Sequence, residues 1–326
     1  MNFQPRRMLA ATLIAALAAT AASASAMEVK VALNYPASDP SSVAAEGFAE
    51  RIKELSGGAM EVQLFPAGQA GDNKSQLQAL QLGAFEINIQ GLTQYPAYDG
   101  LNLPYFWKSN EHFLEVINGE LFEPTREKMA AERGIRMVGI ANRGYRNVLS
   151  RTKPLQSMDD FKGLKIRAPM APPFVKAFEA LGARPTPVEW SETYNAMLLG
   201  TVDAMENANG LIYSTKFYEV GKHLTLTRHL VAPSFFMVSE KWYKSLTDEQ
   251  RGWIDTALEE AIAKAQEIYD AEDAEFLDKL KAEGVTIHEP DLGPFAEASA
   301  GAIREIGTEA WGEELFNKVS ATTAQY

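Results

Sequence analysis

Cysteine is absent from all 326 residues, so neither a disulfide nor a thiol nucleophile can serve this chain. Histidine is scarce, and His112, His223, His229 and His288 form neither His-x-x-x-His nor His-Glu-x-x-His, the spacings that place two imidazoles on one metal. A Gly-x-Ser-x-Gly elbow, a P-loop and a Gly-x-Gly-x-x-Gly after a strand are also missing. Asp203 and Glu206 are a close carboxylate pair, but such pairs are generally turn and surface residues rather than an acid and base. These gaps turn the reading from catalysis toward binding, with no cofactor and no metal.

Long apolar runs are missing too, except at the N-terminus. There Arg6 and Arg7 precede Met8-Leu-Ala-Ala-Thr-Leu-Ile-Ala-Ala-Leu-Ala, and Ala24-Ser25-Ala26 follows. That order is a secretory leader with a small-residue cleavage site, too short and alanine-rich for a permanent span. Cleavage is expected after Ala26, and removal of 26 residues from 326 leaves 300, enough for two lobes. In that mature chain 29 basic residues face 43 acidic ones, a formal charge of −14, which argues against a nucleic-acid surface.

What is present alternates between strand and helix. Glu28 to Leu33 reads as a strand, Ser41 to Leu55 as a helix stopped by Gly57-Gly58, and Ala59 to Phe65 as a strand again. Strand, helix and strand within about forty residues make a right-handed parallel unit. Gln76 to Leu82 and Phe85 to Ile89 extend the pattern into a doubly wound sheet. A second set follows: strands at Met137–Ala141, Asn147–Ser150 and Leu164–Arg167, a helix from Pro172 to Leu181, and a helix from Glu192 to Leu199 capped by Ser191. Further on, Thr247-Asp-Glu-Gln250 has the form of a capping box, and no proline or glycine interrupts the chain from Trp253 to Ala282. A helix of some thirty-five residues would run roughly 50 Å, long enough to lie across two lobes; a kink near Asp270 to Asp273 would also fit.

The most informative stretch is Gly163-Leu-Lys-Ile-Arg167-Ala-Pro169. Lys165 and Arg167 alternate with Leu164 and Ile166 until Pro169 stops the strand, which delivers one guanidinium to the next sharp turn. An arginine fixed there can grip a carboxylate through two parallel hydrogen bonds.

These segments, with Ser191-Glu-Thr-Tyr-Asn-Ala-Met-Leu-Leu-Gly-Thr-Val-Asp203, Glu206-Asn207, Lys216-Phe-Tyr-Glu-Val220 and Phe65-Pro-Ala-Gly-Gln-Ala-Gly71, resemble the substrate-binding proteins of tripartite ATP-independent periplasmic (TRAP) transporters, the DctP-like family. The similarity covers essentially the whole mature chain. It implies an α/β, two-lobed periplasmic binding protein fold with hinge strands, the long helix of the C-terminal third spanning both lobes. It also implies that Arg167 binds the ligand carboxylate, that Arg146 is a second arginine of the site, and that Asn207 and Trp190 contribute beside them. Asn34 and Gln94 are the candidate contacts from the other lobe. The chain departs from the family at Asp203-Ala-Met-Glu-Asn-Ala208, where Asp-Gly-Gln-Glu-Asn-Pro is usual. Gly91 and Gln94 stand where sialic-acid-binding members have a glutamate and an arginine, which argues against sialic acid.

The expected division is 27–143 with 231–272 as the N-terminal lobe and 144–230 with 273–326 as the C-terminal lobe. The expected partners are a small carboxylate ligand and the TRAP membrane permease, with the protein a monomer in the periplasm. A sugar acid, a C4 dicarboxylate and a keto acid suit the polar set equally, and an aromatic acid could also be admitted. An extracytoplasmic enzyme and a ligand sensor for a membrane signalling protein are the alternatives from other classes.

Overall fold

The computed structural model describes residues 26–326. The leader expected over 1–26 therefore lies outside the described residues, apart from Ala26. Among the described residues nine strands form one mixed sheet: β1 (Met27–Leu33), β2 (Met60–Phe65), β3 (Ile87–Gln90), β4 (Ile135–Ser150), β5 (Lys165–Ala168), β6 (Arg184–Pro187), β7 (Ala204–Ala208), β8 (His223–Ser239) and β9 (Thr286–His288). Their order is β2-β1-β3-β8-β4-β7-β5-β6, with β9 beside β8. At one end β1 pairs in parallel with β2 and β3, and at the other β5 pairs in parallel with β6 and β7. Between them β4 and β8 run antiparallel to each other, so two parallel sets share a central pair of long strands.

Local chemistry sets these elements. Asp39 precedes the helix Pro40–Leu55 and accepts from Ser41 N at 2.9 Å, while Pro40 occupies a position whose N–H would have no partner. Ala44, Ala45, Phe48 and Ile52 bury one side of that helix. The helix Trp190–Leu198 begins earlier than the sequence reading has it: Glu189 is the capping residue and Ser191 lies inside the first turn without capping it. The backbone C=O of Glu189 accepts instead from Thr193 Oγ1 at 2.9 Å.

The strands expected separately at Met137–Ala141 and Asn147–Ser150 are one strand of 16 residues, β4. Its pairing with β8 shifts register between Met137 and Gly139, Asn142 and Tyr145, and Arg146 and Val148. Such bulges bend a strand and raise its twist, and the one between Asn142 and Tyr145 lies where β4 passes from one parallel set to the other. They also break the two-residue alternation that would have revealed a single strand.

The helix Asp248–Ala282 is 35 residues long, starts from the Thr247/Gln250 capping box and runs unbroken. Ile254, Ala257, Leu258, Ala261, Ala265 and Tyr269 pack in the core under β1 and β3, and Leu277 and Leu280 pack in the core around Leu149 and Met205. The helix therefore touches both halves. Two glycines permit its close approach: a Cβ on Gly139 would meet Ile262 Cδ1 at 2.5 Å, and one on Gly210 would meet the Phe276 ring at 2.8 Å.

The last helix, Gly293–Thr322, breaks at Gly312, which has φ 74° and ψ 165°. Its Phe295 lies in a core with Phe161 and Phe178, whereas Ile306, Phe316 and Val319 share a core with Phe113, Phe122 and Met137. Although the sequence reading puts 273–326 with the C-terminal half, this helix also covers the N-terminal half.

Candidate functional site

Where the two parallel sets face each other, one pocket gathers Arg143, Arg146 and Arg167 with Asn34, Asn73 and Asn207, against the apolar surfaces of Phe174, Trp190, Leu92 and Leu211. It holds about 440 Å³ of unfilled space, open mouth included. Strands β5 and β7 present Arg167 and Asn207, and the central strand β4 presents Arg143 and Arg146.

Arg167 is buried and donates from Nε to the backbone C=O of Val188 at 2.9 Å. That bond fixes the plane of the guanidinium beside Trp190, whose ring centroid lies 5.6 Å from Cζ. No carboxylate pairs with it among the described residues. Burial pulls its pKa down to about 10, with Glu206 acting the other way, so it stays charged at neutral pH.

Arg146 is placed differently. Its Nε and Nη2 donate to Glu206 Oε2 and Oε1 at 2.5 and 2.8 Å, a two-pronged pair with Glu206 wholly buried. Burial pushes the Glu206 carboxyl up, but Arg146 outweighs it and holds the group down at about 2. His229 completes the cluster, Nε2 facing Glu206 Oε2 at 3.2 Å and Nδ1 facing Thr227 Oγ1 at 2.8 Å. Burial lowers the His229 pKa and favours the neutral ring. Arg146 thus reaches the pocket already neutralised, and its Cζ sits 5.0 Å from the Phe174 ring centroid.

Asn207 is buried, and its Oδ1 accepts from Ala208 N at 2.9 Å. Trp190 opens its helix and stacks toward Phe217 at 5.2 Å, lining the pocket and joining the apolar cores of both halves. Asn34 is bound into an amide cluster: Nδ2 donates to Gln90 Oε1 at 3.0 Å and to Asn73 Oδ1, while Gln76 Nε2 donates to Asn34 Oδ1.

Five of the six expected residues, Arg167, Arg146, Asn207, Trp190 and Asn34, line this one pocket. Gln94 does not. The chain turns there with φ 49°, and Tyr95 N donates to Thr93 Oγ1 at 3.2 Å, so Gly91 and Leu92 form the wall instead. Lining residues outside the expected six include Tyr35, Asn73, Leu92, Phe174, Leu211 and above all Arg143. Arg143 stands three residues from Arg146, and only the bulge at Gly144, φ 90°, allows both to face one pocket.

A second hollow, lined by Arg126, Arg136, Tyr243 and Ile262, has its cations paired, Arg136 with Glu240 and Arg126 with Glu123. Among the described residues, no three His, Asp or Glu side chains come together as a metal site.

A model of bacterial extracellular solute-binding protein family 7 matches residues 31–309. The chain belongs to this family. Over 312 residues it is 30% identical to the sialic acid-binding periplasmic protein SiaP of Vibrio cholerae, covering 94% of this chain and 97% of that one. Two solved TRAP periplasmic solute-binding proteins share its fold. One, from Roseobacter denitrificans with bound L-galactonate, has TM-score 0.83 and 28% identity over 91% of this chain and 98% of its own. The other, from Pseudomonas putida F1 with bound D-glucuronate, has TM-score 0.85 and 26% identity over 90% and 97%. This family 7 protein is accordingly a TRAP solute-binding receptor and not an enzyme, and its two halves are the lobes of the family fold. No helix among its described residues is long and apolar enough to cross a membrane.

Proposed function

We propose that this receptor captures a small organic acid by seating its carboxylate on Arg167, closes its lobes over it and delivers it to the TRAP membrane permease. The observation that carries the reading is a buried guanidinium, oriented by Val188, with no protein carboxylate to pair it among the described residues. Binding of a galactonate and a glucuronate by two relatives supports a sugar acid as the ligand class, with C4 dicarboxylates and keto acids as the other members of the panel. Sialic acid is disfavoured despite the likeness to SiaP. Gly91 leaves that wall without a side chain and Gln94 lies outside the pocket, so the glutamate and arginine of sialic-acid-binding members have no counterpart at these two positions.

Long-range attraction contributes little to capture, because the mature chain carries −14 and a Debye length of about 8 Å at physiological salt screens it. Local groups must supply the affinity. Closing the lobes on an empty site would strip water from an unpaired guanidinium, a penalty that the ligand carboxylate removes. Closure is then coupled to occupancy, with the central strands β4 and β8 as the hinge. The lobe division at 143/144, 230/231 and 272/273 belongs to the same proposal, as does action as a monomer.

Two experiments check this account. Thermal unfolding of the refolded, ligand-free protein against sugar, dicarboxylic, keto and aromatic acids should give a hit confined to carboxylates and leave the compound unaltered. At 100 times the dissociation constant the gain is about 2.7 kcal/mol, a shift of several degrees. Turnover of the compound would turn the reading toward an enzyme. For export, the intact mass of protein recovered from the periplasm should correspond to a chain beginning at Met27; an uncut N-terminus would contradict cleavage after Ala26.

A further inference from the structure

Arg143 has no part in the scheme above, yet it occupies the same pocket as Arg167. The bulge at Asn142–Tyr145 turns it onto the Tyr35 ring, with Cζ 3.8 Å from the centroid. Gly91 faces the pair: a Cβ there would crowd Tyr35 Oη at 3.2 Å and lie in ordinary contact with Arg143 Nη2 at 3.7 Å. Arg143 is 7% exposed, and its Nε and Nη1 have no hydrogen-bond partner among the described residues. The buried carboxylate on that side, Asp39, does not come within ion-pair distance, and its Oδ1 accepts instead from Ser41 N and Tyr269 Oη, both at 2.9 Å.

The hydrogen-bond donors of the site are not all answered by one ligand carboxylate. Of the three guanidiniums lining the pocket, only that of Arg146 is paired with Glu206, and Asp39 acts on Arg143 through its charge without accepting a hydrogen bond from it. One carboxylate answers Arg167 and leaves Arg143 buried with unpaired donors, a costly state unless an acceptor, best an anionic one, meets it. Resting on the acid-receptor reading above, we infer that Arg143 is a specificity-determining residue that reads a second acidic group, so that the pocket selects a diacid held between Arg167 and Arg143. The hydroxyls of a monoacid would offer Arg143 only neutral acceptors. Phe174, Leu92 and Leu211 supply the apolar walls along the body of the ligand.

Titration calorimetry on the refolded full-length mature protein tests this with acids matched except at the far end: D-glucarate against D-gluconate, and succinate against its half-amide succinamate. In at least one pair the diacid should bind at least about tenfold tighter, and Arg143→Met should bring the two members within about threefold of each other. Arg143→Lys, which keeps the charge, should retain part of the preference and so separates recognition from folding. Equal or tighter binding of the monoacids by the wild type overturns the inference, as does an Arg143→Met variant that weakens both members of a pair alike. Binding of neither pair also counts against a diacid, while the acid-receptor reading is then decided independently by the wider panel.

Discussion

Arg167→Lys should weaken binding of the cognate acid well beyond tenfold while the ligand-free protein still folds. Lysine preserves the positive charge, so the loss would report geometry. The guanidinium is planar, and its Nε bond to Val188 leaves the Nη donors as a fixed fork for a carboxylate. An ammonium has neither the plane nor the Nε anchor, and its three donors rotate freely. Calorimetry on the two proteins with the same acid reads the effect, and melting of each without ligand separates it from a folding defect. An unchanged affinity would sink the role assigned to Arg167.

The second large effect concerns the buried pair of Arg146 and Glu206. Glu206→Gln leaves Arg146 buried without its counter-charge, and breaking a buried pair in this way costs about 3–5 kcal/mol. The acid sensitivity of the protein should change with it. Since the folded pKa of Glu206, about 2, lies below its ordinary 4.5, its contribution is fully present above 4.5 and is lost as pH falls from there toward 2. His229 acts in the same sense from higher pH: burial lowers its pKa from 6.5, so the unfolded chain takes up that proton more readily below 6.5. Urea midpoints measured between pH 7 and pH 3 should fall gently at first and steeply below 4.5 in the wild type. In Glu206→Gln the steep part should be reduced and the protein weaker throughout. Identical pH profiles for the two proteins would contradict the assignment.

Much of the fold can be read from the chain because local and tertiary signals agree there. In β1 and β2 the alternation of apolar residues matches a half-covered strand, and the capping box at Thr247 announces the 35-residue helix. Strand β8 escapes because it is buried at nearly every position from Leu224 to Ser239, so its two faces carry no contrast, and Pro233 argues against a central strand. Strand β4 looks like two strands because each bulge resets the alternation.

The site divides along similar lines. Arg167 is legible because its strand is short, regular and ended by proline. Trp190 and Asn207 are legible through family resemblance alone, since a large aromatic and a turn asparagine ordinarily have structural roles. Arg143 is illegible in strict alternation, because three residues from Arg146 it would face the opposite side of a regular strand. Gln94 misleads because a matching position in sequence does not fix direction, and the left-handed turn takes the chain away from the pocket wall.

The central claim, that Arg167 receives the ligand carboxylate, is tested most directly by a crystal structure of the receptor with the acid found in the thermal panel. The account predicts both carboxylate oxygens about 2.7–2.9 Å from the Nη atoms of Arg167, with Nε still on Val188 and Glu206 still on Arg146. A carboxylate seated elsewhere in the cleft, with Arg167 unengaged, would contradict it.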